Sequence, residues 1–182
     1  MFEGWHEFYG LLGTAAAALV ALLFVAASIG ANYFTAESAG ATRTFMSPVV
    51  FHYGNIMFLS LIALIPDQTA QSFGVIIGVA AFGSLIYSLF ILVRVWRHSA
   101  ADGFDRVAYG SVPMISYTMG LVVAWLLLSG SRKAGLDLLA ASALLLLVVN
   151  IRNAWDLMLS LSRRNSQQRQ AEADRTNQPP SL

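Results

Sequence analysis

An all-α bundle embedded in a lipid bilayer is the fold class that this sequence predicts, and three observations predict it. Of 182 residues, 57% are hydrophobic and only 12% charged, against about 25% charged in an ordinary soluble domain. Mean hydropathy is +0.62, and a chain this short would need the missing charge to cover its own surface in water. Five apolar stretches approach or reach the length of about 20 residues that a helix needs to cross the hydrocarbon core. The stretches are continuous. A β-barrel would need alternating segments of about ten residues, and an open sheet would leave backbone amides unsatisfied in lipid. An ordinary cytosolic enzyme, a disordered tail and a nucleic-acid-binding domain are thereby excluded. The net charge of +1 implies no polyanionic partner, and zero cysteines exclude a disulfide framework, a thiolate metal site and a cysteine nucleophile.

The first span, Phe8 to Ile29, contains no charge. Glu3 and Glu7 precede or open it and no Lys or Arg does, so it reads as a retained helix and not as a signal peptide. The 30–44 segment is rich in Ala, Gly, Ser and Thr and suits a short interfacial continuation of the second span, Phe45 to Ile65. The third span runs from Phe73 to Val93. Residues 99–111 form the main connection, with a turn signal at Asp102-Gly103 and a helix start within Asp105 to Tyr109. The fourth span, Val112 to Leu128, is the shortest, and the fifth runs from Leu136 to Leu157. Residues 1–165 therefore form one five-helix transmembrane domain. Residues 166–182 are polar, end in Pro179-Pro180, and are expected to be a disordered cytoplasmic tail. No internal repeat is visible, and an odd span number argues against a simple inverted duplication.

Orientation follows from Lys and Arg. The N-terminus, the 66–71 loop and the 129–134 loop share one side and carry only Arg132 and Lys133. The other side carries Arg43, Arg94, Arg97, Arg106, Arg152, Arg163, Arg164, Arg169 and Arg175. The positive-inside rule places the larger set in the cytoplasm, with the N-terminus outside and the C-terminus inside.

Two segments carry a resemblance. Trp5-His6-Glu7-Phe8-Tyr9 runs into Gly10-Leu11-Leu12-Gly13 and an Ala-rich helix, and Ile151-Arg152-Asn153-Ala154-Trp155-Asp156-Leu157 closes the last span. The pairing resembles an uncharacterised family of small bacterial multi-pass integral membrane proteins. The resemblance implies an inner-membrane location and a helical architecture, and no activity.

Ionisable and polar residues at membrane depth are costly and mark candidate sites. His52 lies about seven residues past the cytoplasmic end of the second span, roughly 10 Å deep at 1.5 Å per residue. Asn55 follows nearer the midplane. Thr44, Pro48, His52 and Asn55 share one helical face, and the proline frees a backbone carbonyl near Thr44. Tyr87, Tyr117 and Asn150 sit at similar depth on other spans. With Ser84, Ser88, Ser116 and Thr118 they would form a polar layer in the cytoplasmic half. In one reading a wet cavity there houses a titratable His52; in the other, His52 and Asn55 bond across helices as packing glue.

Arg152 and Asp156, four residues apart, can pair on one face beside Asn153 and an interfacial Trp155. They form either an anchor or a gate at the cytoplasmic mouth. Glu3, His6 and Glu7 read as a solvated acidic cap, with a zinc or proton site as the sharper alternative. Gly10, Thr14 and Ala18, with Gly13, Ala17 and Ala21 beside them, and Gly74 and Gly78 in the third span, let helices approach closely. They would serve packing within the chain, association with a second copy or a partner membrane protein through spans 1 and 3, or the lining of a pore.

No Gly-x-Ser-x-Gly elbow, H-E-x-x-H or phosphate loop occurs, no intramembrane aspartate pair is available, and a second embedded histidine for a haem is lacking. The sequence therefore predicts no enzyme, no cofactor, no metal and no nucleic-acid partner. It predicts a small-solute or ion conduit whose candidate residues are His52, Asn55, Tyr87, Tyr117, Asn150, Arg152 and Asp156. A non-catalytic scaffold or modulator of another membrane protein is the alternative. A conduit requires the candidates to converge on one cavity; a scaffold allows each to bond locally.

Overall fold

The computed structural model describes residues 3–30, 36–97 and 110–176, and these are all helical apart from their turns. A single 3-10 turn, Glu3–Trp5, leads into α1 (His6–Gly30); α2 (Ala36–Ala63), α3 (Ala70–Arg97), α4 (Val112–Leu128) and α5 (Arg132–Thr176) follow. No strand occurs among the described residues.

Each boundary has a local cause. The α2–α3 turn contains Pro66 and then Asp67, whose φ of 54° is left-handed. Thr69 opens α3: its Oγ1 accepts from the Ser72 amide at 3.1 Å, which satisfies one of the amides that a helix start leaves without a partner. Pro113 stands in the first turn of α4, where a missing amide hydrogen costs nothing. Gly130, with φ of 92°, ends it. The Ser131 amide donates to the Leu126 carbonyl at 2.8 Å and the Gly130 amide to Leu127 at 3.3 Å, the paired bonds of a Schellman cap.

Three helices carry stretches long and apolar enough to cross a membrane: His6–Ser28, Ala70–Val93 and Arg132–Leu159. Pro48–Ala63 and Val112–Leu128 are shorter apolar helices. At 1.5 Å per residue the 17 residues of α4 span about 26 Å, a little under the hydrocarbon thickness of about 30 Å. The outward surface is apolar as well. Leu11, Val79, Trp125 and Val148 are each more than 60% exposed, an arrangement suited to lipid and not to water. Helices and surface together are those suited to a helical membrane protein.

Neighbouring helices run antiparallel. Gly74 faces Leu127 and Gly120 faces Ala81 across α3 and α4, and Gly135 of α5 meets Leu127. The most extensive interface joins α3 and α4. Those of α1 with α2 and of α4 with α5 are next, α2 meets α5 over a smaller one, and α2 touches α3 only slightly. Tyr9, Tyr53, Ile56, Phe73, Val123 and Leu127 form much of the buried centre.

One expectation is met and one is corrected. The second helix begins at Ala36 and runs unbroken through Pro48, so the 30–44 segment from Ala36 onward belongs to it. The last helix runs to Thr176, through most of the segment expected to be disordered. The residues Gln167–Thr176 (QQRQAEADRT) contain neither Gly nor Pro and are rich in Gln, Arg, Ala and Glu, all good helix formers. Polarity excludes them from the bilayer without excluding a helix. The turn expected at Asp102-Gly103, the helix start at Asp105 to Tyr109, and Pro179-Pro180 lie outside the described residues.

Candidate functional site

Of the polar residues singled out by depth, the structure brings five together. α2 supplies His52 and Asn55, separated by three residues and therefore on one face; α3 supplies Ser84 and Tyr87, and α4 supplies Tyr117. His52 Nδ1 and the Tyr117 hydroxyl are 2.7 Å apart, and both side chains are buried. Asn55 Oδ1 accepts from the Ser84 hydroxyl at 3.1 Å, and Asn55 Nδ2 donates to the Phe51 carbonyl at 3.0 Å. Tyr87 lies against Phe51 with ring centroids 4.1 Å apart and faces His52 edge-on at 6.5 Å. Each of the two polar bonds joins two helices that otherwise touch little, so α2 is tied to α3 and α4 by side chains and not by backbone approach.

Asn55 and Tyr117 also line a cavity of about 60 Å³ among α2, α3, α4 and α5, with Ser84, Ser116, Ser142 and a larger aliphatic wall. His52 and Tyr87 are not among the lining residues; His52 reaches the cavity through Tyr117. A cavity needs at least roughly 10–15 Å³ to hold a water, and the water needs polar partners. Both conditions are met here.

The remaining candidates stand apart. Asn150 is fully buried but bonds locally: its Nδ2 donates to the Leu146 carbonyl one turn back, at 2.7 Å. Arg152 and Asp156 pair at 3.0 Å along α5 with both side chains about one-third exposed. They meet none of the cavity residues in the bonds just described. Asn153 beside them is 1% exposed, and Arg152 Nη1 donates to its Oδ1 at 3.4 Å. Ser88 is buried. Thr118 points outward and donates to the Met114 carbonyl, so it does not join the layer. At the other end of α1, His6 and Glu7 are exposed. The side chain of Thr44 lies outside the described residues.

The small residues of α3 serve contacts within the chain. A Cβ on Gly78 would lie 3.1 Å from the Ala124 Cβ, and one on Gly74 3.2 Å from the Leu127 Cβ. In α1, Gly13 faces Ser60 of α2, where a Cβ would come within 2.8 Å of the Ser60 Cβ, whereas Gly10 has open space before it.

Two participants escape a depth-based reading. Phe51 carries no polar atom in its side chain, yet its ring seats Tyr87 and its carbonyl orients Asn55. Ser142 is an isolated hydroxyl in the run Leu138–Val149 (LAASALLLLVV with its first leucine). That isolation was its only signal, because a serine in an apolar helix commonly bonds its own backbone. No family model, curated protein or solved structure matches the chain.

Proposed function

We propose that this protein is a five-span integral membrane protein that acts as a conduit for a small solute, with its N-terminus outside and its C-terminus in the cytoplasm of a bacterial inner membrane. The Lys and Arg asymmetry supports the orientation. The resemblance of the Trp5–Tyr9 and Ile151–Leu157 segments to small bacterial multi-pass membrane proteins supports the compartment. Two shorter apolar stretches, Pro48–Ala63 of α2 and Val112–Leu128 of α4, complete the five spans. A helix slightly shorter than the bilayer is accommodated by local thinning at modest cost.

The observation that carries the conduit reading is the convergence of Asn55 and Tyr117, from separate helices, on one cavity inside the bundle. Polar side chains that only glue helices together need no shared space. His52 holds Tyr117 at the cavity wall, and Arg152 with Asp156 occupies the cytoplasmic boundary beyond it. Opening of that pair would then admit solute from the cytoplasm.

Flux into proteoliposomes tests this reading. Water, small neutral solutes, protons, monovalent cations and anions are offered at about pH 5.5 and pH 7.5, on either side of the ordinary imidazole range, to wild type and to Tyr117→Phe and His52→Ala. Flux that is lost in the variants supports a path through this layer. No flux of any solute through folded, inserted protein refutes it.

A second reading is favoured by Asn150 and the Arg152–Asp156 pair, each of which bonds within its own helix. Such residues suit a non-catalytic scaffold. Its docking surface would be the outward faces of α1 and α3, taken by a second copy or a partner membrane protein. Crosslinking from Leu11 and Val79, both well exposed, would capture that partner.

A further inference from the structure

The hydrogens in the cavity wall can be assigned from acceptor-only partners. A carbonyl cannot donate, so a hydroxyl bonded to one must spend its single proton there. Ser142 donates to the Leu139 carbonyl at 2.8 Å, and Ser116 to the Val112 carbonyl at 3.3 Å. Asn55 is oriented by its Nδ2–H bond to Phe51, which turns Oδ1 toward Ser84 and fixes Ser84 as the donor there. The three serine hydroxyls are thus left with lone pairs to offer, while Asn55 keeps a second amide hydrogen and Tyr117 a hydroxyl shared with His52. The rest of the wall is mainly aliphatic, with residues such as Ile77 and Leu146, and no charged side chain lines it among the described residues.

From this we infer that the cavity is a binding site for a small uncharged hydrogen-bond donor, water or a short alcohol, and not for an ion. The inference deepens the conduit reading and rests on it for the solute's route. The uncharged wall, with lone pairs left on three serines, supplies the choice of ligand. An anion would meet serine lone pairs, at most neutral donors from Asn55 and Tyr117, and no cationic partner. A cation would lose its hydration to a few neutral oxygens on an aliphatic surface, and burying an unpaired charge is expensive. A neutral donor pairs with serine oxygens that cannot pair with one another. The volume of about 60 Å³ admits about two waters at roughly 30 Å³ each, or one molecule of methanol size.

The test is a titration of the full chain in nanodiscs, read by NMR at the backbone amides of Gly120, Ser142 and Ala143. Methanol is the neutral donor, ammonium chloride and sodium formate are the ionic probes, and xenon is an apolar probe that needs space alone. Methanol and xenon are expected to shift these amides, while the two salts leave them in place. Ser142→Ala removes one acceptor and is expected to weaken methanol about three- to ten-fold, the worth of one hydrogen bond, without weakening xenon. Ala143→Val keeps every polar group and fills the space, so it is expected to weaken both.

Ammonium or formate binding more tightly than methanol overturns the inference. So does methanol affinity that is unchanged in Ser142→Ala while xenon reports an intact cavity. Absence of both methanol and xenon binding overturns it as well. Flux is scored separately. Methanol binding without any flux removes the conduit reading and leaves the site. Ion flux that is blocked by Ala143→Val keeps a conduit and overturns the choice of ligand.

Discussion

Along the seam between α3 and α4 the two backbones come close, whereas between α2 and that pair they stay apart. Gly74, Gly78 and Gly120 stand at the first seam, each facing a residue whose Cβ a new methyl would meet at 3.0–3.2 Å. Such packing leaves no room for solvent and needs no polar bond. At the second seam the residues are long and polar. His52 reaches Tyr117 and Asn55 reaches Ser84, and the cavity lies beside these bridges. In lipid there is no hydrophobic drive to bring helices together, so close approach and interhelical hydrogen bonds are the two means available. This molecule uses the first means between α3 and α4 and the second between α2 and that pair, and the polar cavity lies beside the second.

The glycine seam should be the harder of the two to disturb without damage. Gly120→Leu sets a Cβ against Ala81, a neighbour whose only side-chain atom is fixed to its backbone. Neither side can yield by a rotamer change, and overpacking of this kind typically costs about 1–3 kcal/mol. We expect about 3 kcal/mol, the largest loss in this set, read as an earlier unfolding midpoint in an SDS titration. Gly135→Ala makes a control. Its Cβ would come within 2.9 Å of a terminal methyl of Leu127, which can move, so the loss there should stay below about 1 kcal/mol. Equal losses at Gly120 and Gly135 would show that the seam is not held by close approach.

The polar seam comes next. Tyr117→Phe keeps the ring and removes the hydroxyl, leaving His52 Nδ1 buried without that bond. A deserted buried polar group costs about 1–3 kcal/mol, and bonds between membrane helices fall toward the lower end, so about 1.5 kcal/mol is expected. His52→Phe with Tyr117→Phe closes a double-mutant cycle whose coupling should be near 1 kcal/mol. A coupling near zero would mean that the two residues merely lie side by side.

How much of this was legible in the sequence differs between the two seams. The five apolar stretches mark the five helices, and α4 has the limits that Pro113 and the Ser129-Gly130 pair announce. Gly74 and Gly78 were visible as a close-packing motif, but their partner was not, because spacing along one helix does not say which helix faces it. His52, Asn55, Tyr87 and Tyr117 were legible by depth, since a polar residue in an apolar run stands out. Their pairing joins residues 65 positions apart and depends on how far α2 stands from α4, which no local pattern encodes. Asn150 and Arg152 stood out for the same reason and yet bond within α5. The length of α5 was misread because hydropathy reports preference for lipid, while Gln167 to Thr176 are helical through backbone propensity.

Asn55 and Ser84 test the weaker of the two bridges. Ser84→Ala removes the donor to Asn55 Oδ1 while Asn55 keeps its bond to Phe51, so the amide remains partly satisfied. About 0.6–1 kcal/mol is expected, in the range of single interhelical bonds in membranes. Because Ser84 also lines the cavity, the same variant should weaken binding of a neutral donor there. A loss as large as that of Tyr117→Phe would make the two bridges equivalent and remove any reason to rank His52 above Asn55.

The smallest effect belongs to a residue pair outside both seams. Arg152 and Asp156 form an i, i+4 pair that is about one-third exposed on each side. Exposed helical pairs are typically worth about 0.3–0.5 kcal/mol, and salt screens them. Asp156→Asn should therefore change unfolding stability by less than about 0.5 kcal/mol, and the difference from wild type should shrink further as salt is raised from low to physiological strength. The value of the measurement lies in its contrast with flux. If the pair is a gate, Asp156→Asn alters the rate of solute entry while stability hardly moves, because the barrier it sets is kinetic. If it is an anchor, neither quantity changes by more than the loss of one weak ion pair. A stability loss above about 2 kcal/mol would contradict both roles and would place Asp156 among the groups that hold the bundle together, alongside His52 and Tyr117.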